Sequence, residues 1–65
     1  MPIIRVEMFK GRTIDQKKKL VKELTNSFVK TCGGTAEGLH VLIEEIEKEN
    51  WGVSGNLISE NDLKK

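Results

Sequence analysis

Residues 13–34, TIDQKKKLVKELTNSFVKTCGG, decide the fold of this chain. Thr13 is followed three positions later by Gln16, the spacing of a capping box, in which each side chain bonds the backbone N–H of the other residue. Asp15 adds a negative charge where the dipole of a helix favours one. The two glycines at the end of the stretch are typical of a helix C-terminus. Between these ends, apolar residues recur at three- and four-residue steps, as in an amphipathic helix of about five turns: Leu20, Val21, Leu24, Phe28 and Cys32.

A strand candidate lies on each side of this helix, in residues 3–9 (IIRVEMF) and residues 39–46 (LHVLIEEI). Side chains alternate between the two faces of a strand, so each candidate has one apolar face. In the first strand this face carries Ile4, Val6 and Met8, and in the second it carries Leu39, Val41 and Ile43. A strand, a helix and a strand in so short a chain form a β-α-β unit with parallel strands. The glycine-punctuated residues 50–59 predict a short hairpin or a third strand fragment.

The size of the chain favours self-association. With 65 residues, of which 37% are hydrophobic, residues 1–65 form one domain, near the size at which a chain buries only about 60% of its unfolded surface. One cysteine and one histidine supply neither an internal disulfide nor a four-ligand zinc site. Two parallel strands also leave their edges and second face uncovered, whereas parallel sheets are normally covered on both faces. We therefore expect copies of the same chain to provide the cover.

Charge and hydropathy exclude several classes of partner. Eleven basic and ten acidic side chains give a net charge of +1, which argues against a nucleic-acid-binding module. The lysines of residues 17–19 fan out around the helix axis, so we interpret them as solvated helix surface. No apolar stretch reaches the roughly 18 residues of a membrane span, and the start lacks a signal-peptide pattern. We expect a cytoplasmic protein without a membrane partner, in which Cys32 is reduced and buried.

Pro2 has two possible explanations. The first residue of a strand is one of the few places where proline is tolerated in a sheet, so its role could be structural. If Met1 is removed, however, Pro2 gains a free secondary amine, a base that no other residue type offers. Retained Met1 would leave an amide nitrogen, which has no basicity.

The chain resembles the small-subunit 4-oxalocrotonate tautomerase family. The resemblance rests on the start PIIRVEMFKGRTIDQKKKLVKELT, with Pro2 and a glycine-arginine pair at Gly11 and Arg12, and on the later VLIEEIEKENWGVSG. It runs from Pro2 to about Ser59 without an obvious gap, and residues 60–65 lie outside it as a tail. It implies an α+β fold, a single β-α-β unit with parallel strands and a C-terminal hairpin, assembled as a homohexamer. It also implies a cofactor-free isomerase without a metal.

The resemblance implies that Pro2, after removal of Met1, is the general base of a keto-enol tautomerase acting on small unsaturated 2-oxo or 2-hydroxy acids. Such a base must be neutral near pH 7, and an apolar pocket and a nearby guanidinium both disfavour its charged form. Arg12 would bind the substrate carboxylate and stabilise the enolate. Seven strand steps separate Pro2 from Phe9, roughly 23 Å, so Arg12 must reach Pro2 from a neighbouring subunit.

Two further positions are expected to contact substrate. Trp51 stands where the family usually has phenylalanine, and an indole there would keep water off the proline nitrogen; it could equally be a core or interface anchor. His40 stands where diacid tautomerases carry a second arginine. Histidine is shorter and mostly neutral at pH 7, which weakens the case for a dicarboxylate substrate. His40 could also be a strand residue without chemistry.

Two alternatives to the tautomerase remain open at this point. The first is a hydratase or dehalogenase of the same superfamily, in which the same proline would handle the addition of water. The second is a catalytically silent oligomer that binds small molecules.

Overall fold

The computed structural model describes the backbone of residues 2–63 and the side chains of residues 2–60. Strand β1 (Ile3–Phe9) leads into helix α1 (Ile14–Cys32), which is followed by strand β2 (His40–Ile46). The two strands pair in parallel. This arrangement confirms the β-α-β unit that the sequence predicts. Removal of Met1 concerns a residue outside the described part.

The two ends of α1 form as the sequence predicts. The Oγ1 of Thr13 accepts a hydrogen bond from the Gln16 backbone N–H at 3.1 Å, and the Oε1 of Gln16 accepts one from the Thr13 N–H at 2.8 Å. At the other end the N–H of Gly33 donates to the carbonyl of Val29 at 2.9 Å. Gly33 has a φ of +86°, a conformation that favours glycine. Both signals lie within a few residues of the helix ends, so the sequence is sufficient to predict where α1 begins and ends.

The predicted hairpin also forms. Strands β3 (Gly52–Val53) and β4 (Asn56–Leu57) pair antiparallel. A second helix, α2 (Ile58–Leu63), follows directly. Residues 60–63 of the predicted tail belong to α2, a helix that the sequence did not predict, and residues 64–65 lie outside the described part.

One protomer has a small core. Leu39, at 8% exposure, is the one buried apolar side chain among residues 2–60. The alternating side chains Ile4, Val6, Met8, Val41 and Ile43 are half-buried, on the sheet face next to α1. The opposite face is open, with Ile3 58% and Leu42 43% exposed. Within residues 2–63, no helix combines the length and apolarity needed to cross a membrane.

Two expectations about single side chains are wrong for the protomer. Cys32 is exposed rather than buried: it lies in the last turn of α1, where it borders an open groove between the helix and Ile4 of β1. Lys17 is half-buried, whereas Lys18 and Lys19 are exposed as expected. Lys17 is turned inward because its Nζ lies 2.5 Å from a carboxylate oxygen of Glu45 on β2.

Candidate active site

Pro2 borders a cavity of about 350 Å³ at the start of β1. The other residues that line it are Phe28, Gly33, Gly34, Thr35, Gly38 and Leu39. A Cβ at Gly33 or Gly34 would meet no atom within 4 Å, so the absence of side chains there keeps this space open. Phe28 and Leu39 give the cavity an apolar wall. An apolar wall disfavours the charged form of an amine. A proline nitrogen that acts as a base near pH 7 requires this effect, because it must be neutral in order to accept a proton.

A hydrogen bond joins the backbones of His40 and Pro2, but their side chains lie on different sides of the sheet. The N–H of His40 donates to the carbonyl of Pro2 at 3.2 Å. Leu39 lines the cavity and His40 does not, because consecutive strand side chains point to opposite faces. The imidazole is exposed on the open face of the sheet. Within one protomer, therefore, the structure does not bring the His40 side chain to Pro2.

Arg12 and Trp51 lie together at the other end of the sheet, and Phe9 connects them. The Nη1 of Arg12 donates to the carbonyl of Phe9 at 3.4 Å. The ring of Phe9 contacts that of Trp51, with centroids 4.4 Å apart and planes at 58°. The Nζ of Lys48 lies 5.9 Å from the centroid of the Phe9 ring. The guanidinium and the indole thus share one end of the molecule.

The candidate residues of one protomer therefore form two groups at opposite ends of β1. Pro2 precedes the first residue of the strand, and the carbonyl that Arg12 contacts belongs to the last. The seven residue steps between Pro2 and Phe9 span roughly 23 Å. A substrate of a few carbon atoms cannot bridge that distance, so one chain cannot place its own proline and its own arginine on the same small molecule.

The loop between β1 and α1, which carries Arg12, is anchored to the end of β2. The N–H of Lys10 donates to the carbonyl of Ile46 at 3.2 Å.

The pKa of the Glu45 carboxyl group is lowered, and the hydrogen bond from Lys17 is the largest cause. The charge of Lys17 and the backbone N–H of Gly11 also lower this pKa, whereas partial burial of the carboxyl group raises it.

A second ion pair lies beside the loop. The Nζ of Lys10 lies 2.9 Å from a carboxylate oxygen of Glu47. This hydrogen bond and the charge of Glu47 raise the pKa of Lys10.

The sequence motifs do not identify three residues of this region: Phe9, Lys17 and Glu45. For Lys17 and Glu45, however, the sequence contains a signal. Glu45 continues the alternation of Val41 and Ile43 onto the apolar face of β2, and Lys17 lies three and four residues before Leu20 and Val21 on α1. A charged residue at an apolar position needs a partner of opposite charge, and here the two such positions pair with each other.

The described residues offer no obvious place for a metal ion. Within the part of the chain that the structure covers, no three His, Cys, Asp or Glu side chains cluster as a metal site would require.

The chain matches known proteins over nearly its whole length. A family model described as "Tautomerase enzyme" matches residues 2–61. A "Probable tautomerase" from Staphylococcus haemolyticus is 49% identical over 55 residues, which cover 85% of this chain and 89% of that protein. The chain belongs to the tautomerase family. It is accordingly an isomerase of the tautomerase type, as the sequence predicts.

Solved structures of tautomerases share the fold. TomN, a 4-oxalocrotonate tautomerase homologue of the tomaymycin biosynthetic pathway, superposes with a TM-score of 0.92 at 32% identity, over 95% of each chain. A heterohexameric 4-oxalocrotonate tautomerase from Chloroflexus aurantiacus superposes with a TM-score of 0.86 at 25% identity, over 92% of this chain and 97% of that one. These relatives confirm the fold class and the family that the sequence indicates.

Proposed function

We propose that this tautomerase interconverts the enol and keto forms of small unsaturated 2-oxo acids, such as 2-hydroxymuconate or phenylenolpyruvate, with Pro2 as the general base. The observation that carries the proposal is the placement of Pro2 at the wall of an apolar cavity of about 350 Å³. The role requires removal of Met1, since only a free amine nitrogen has a lone pair available for a proton.

The proposed reaction moves one proton. The neutral nitrogen of Pro2 takes the proton from the 2-hydroxyl group of the enol, and negative charge spreads over the oxygen and the conjugated carbon atoms. The same nitrogen then delivers the proton to a carbon atom, which gives the keto form and restores the neutral amine. The apolar wall favours the neutral nitrogen at the start and at the end of this cycle.

In this proposal Arg12 comes from a neighbouring protomer. Its guanidinium binds the substrate carboxylate through two hydrogen bonds and stabilises the enolate charge. Trp51 approaches from the same protomer as Arg12, because Phe9 joins the two, and its indole keeps water away from the reacting atoms. The separation of the two groups of residues within one chain supports this arrangement. It calls for an oligomer, and we propose the homohexamer; the cytoplasmic location stays a prediction.

His40 is the residue that we assign to substrate selection. Its imidazole lies on the open sheet face, so it reaches a substrate only when another protomer brings its own cavity to that face. A mostly neutral imidazole holds a second carboxylate weakly. We therefore propose that monocarboxylates are preferred over dicarboxylates.

The test of the base is the substitution Pro2→Ala. Alanine leaves a primary and differently placed amine, so we expect kcat/KM for ketonisation to fall about 10²-fold or more, the scale of a lost general base. The assay follows the ultraviolet absorbance of 2-hydroxymuconate and phenylenolpyruvate. Alanine is also small, so intact mass should show Met1 removed from both proteins, and light scattering should show the same oligomer.

Three results would contradict the proposal. Unchanged turnover in Pro2→Ala would exclude Pro2 as the base. A wild-type protein that keeps Met1 and has no activity would support the silent binder. Turnover of halogenated or unsaturated acids by addition of water, without ketonisation, would support a hydratase or dehalogenase.

A further inference from the structure

The ion pair between Lys17 and Glu45 is the most sheltered of the three found in the described residues. Its side chains are 23% and 25% exposed, against 60% and 57% for Arg5 and Glu44. Sheltering two charges costs solvation energy, and a well-packed apolar pair of similar size often stabilises a fold as well or better. Stability is therefore a weak explanation for charged residues at these two apolar positions.

The position of the pair suggests a different role. Glu45 lies next to the last residue of β2 and accepts the 2.5 Å hydrogen bond from Lys17 in the first turns of α1. The Ile46 carbonyl beside it accepts the bond from the Lys10 N–H, two residues before Arg12. The end of β2 thus holds the chain on both sides of Arg12, and Glu45 holds the side that leads into the helix.

The side chain of Arg12 depends on this loop for its direction. It is exposed, and its hydrogen bond to the Phe9 carbonyl is long, at 3.4 Å. The backbone on both sides of Arg12 is better held, by the bond from the Lys10 N–H to the Ile46 carbonyl and by the bond from the Lys17 N–H to the Thr13 carbonyl. A guanidinium binds a carboxylate through two parallel bonds only when its plane is correctly oriented.

We propose that Glu45, paired with Lys17, is a positioning residue that holds the loop so that Arg12 can bind the carboxylate of the substrate. The inference rests on the proposed role of Arg12, and it adds a role for two residues that touch no substrate. Charges suit this task better than apolar side chains because a charge-assisted hydrogen bond fixes the direction as well as the distance between the two groups.

The first test compares Glu45→Gln and Lys17→Met with two matched controls. Glutamine keeps the size of Glu45, but it has no charge for Lys17. The controls are Glu44→Gln, one residue earlier on the opposite face of β2, and Lys18→Met, on the exposed side of α1. We expect kcat/KM to fall roughly tenfold or more in the two test variants, the scale on which misplaced binding groups act, and to change less than about twofold in the controls. Equal effects in test variants and controls would overturn the proposal.

A double-mutant cycle with Arg12→Ala separates positioning from general stability. If Glu45 acts through Arg12, adding Glu45→Gln to Arg12→Ala should cause no further loss of kcat/KM. If Glu45 only stabilises the fold, the two losses should multiply, and that result would overturn the proposal. Light scattering should first show that all variants keep the same oligomer.

A readout without substrate distinguishes failure of this inference from failure of the proposed function. If the wild type shows no tautomerase activity, or if Arg12→Ala is as active as the wild type, the proposed role of Arg12 fails. Amide hydrogen exchange at Lys10 and Lys17, whose N–H groups bond the Ile46 and Thr13 carbonyls on the two sides of Arg12, still reports whether Glu45 holds the loop. We expect Glu45→Gln to speed this exchange about tenfold and Glu44→Gln to leave it unchanged. Equal exchange in Glu45→Gln and the wild type would overturn the inference.

Discussion

Arg12 and His40 are two cations of different kinds. Arginine is charged at every working pH, whereas histidine is charged only when it is protonated. In the proposed site the proline nitrogen must be neutral at the moment when a protonated imidazole would help to bind a second carboxylate. The two requirements conflict for a dicarboxylate, and a monocarboxylate needs only Arg12.

His40→Arg should therefore change substrate selection. A permanent cation should improve transition-state binding of 2-hydroxymuconate by roughly 1 to 3 kcal/mol, the scale of a hydrogen bond to a charged group, and should leave phenylenolpyruvate nearly unchanged. The measurement is the ratio of the two kcat/KM values, diacid to monoacid, in both proteins from about pH 5 to about pH 9. For wild-type protein we expect a lower ratio than for His40→Arg. A ratio that stays flat after the substitution would mean that His40 does not face substrate.

The ion pair between Lys17 and Glu45 joins α1 to β2, and its contribution to stability depends on pH in a direction that follows from the pKa of Glu45. Since the pKa of Glu45 is lowered in the folded chain, its ion pair contributes stability that is fully present above the ordinary glutamate pKa of about 4.3. That contribution is lost as the pH falls through the lower pKa of the folded state. The pair of Lys10 and Glu47 has the opposite sign, because the pKa of Lys10 is raised: its contribution is present at neutral pH and lost at strongly alkaline pH.

We expect the Tm of Glu45→Gln to lie below that of the wild type at neutral pH and to converge with it in acid, because a protonated glutamate resembles glutamine. The measurement is thermal unfolding at one fixed protomer concentration, since the Tm of an oligomer depends on concentration. Glu44→Gln is the control, because its exposed ion pair contributes little. A difference between Glu45→Gln and the wild type that does not shrink as the pH falls through the acid range would show that the charge of Glu45 is not what stabilises the contact.

The elements were predictable to the extent that their signals are local. The capping box, the periodic apolar residues and the closing glycines predict the bounds of α1 that the structure shows. The alternation of apolar residues predicts β2 as well, but with a start at Leu39, one residue too early. Helix α2 was missed because six residues are too few to show a helical period. The residues Lys17 and Glu45 are 28 positions apart in the sequence. The residues next to Lys17 do not indicate this contact, so they predict that Lys17 is exposed to solvent.

Under the proposed function, one assembly would meet two needs of the protomer. Its sheet leaves one face open, where Ile3 is 58% exposed, and the two proposed half-sites, Pro2 and Arg12 with Trp51, lie at opposite ends of β1. A second copy that covers the open face or extends the sheet can bring its Arg12 to the Pro2 of the first. The sequence predicted the separation from strand length alone. The symmetry of the assembly was not predictable, because it depends on surfaces of several chains.

Mixing two inactive proteins tests the shared site directly. Pro2→Ala lacks the base and Arg12→Ala lacks the carboxylate ligand, so each alone should be nearly inactive. After refolding together in equal amounts, a site regains activity when an intact Pro2 from one variant meets an intact Arg12 from the other. Random assembly places both in about a quarter of the sites, so we expect roughly a quarter of wild-type kcat/KM per site. Mixing the two variants without unfolding them is the control and should recover nothing. If Pro2 and Arg12 acted within one chain, no refolded mixture would exceed its parents, because no single chain in it carries both residues intact.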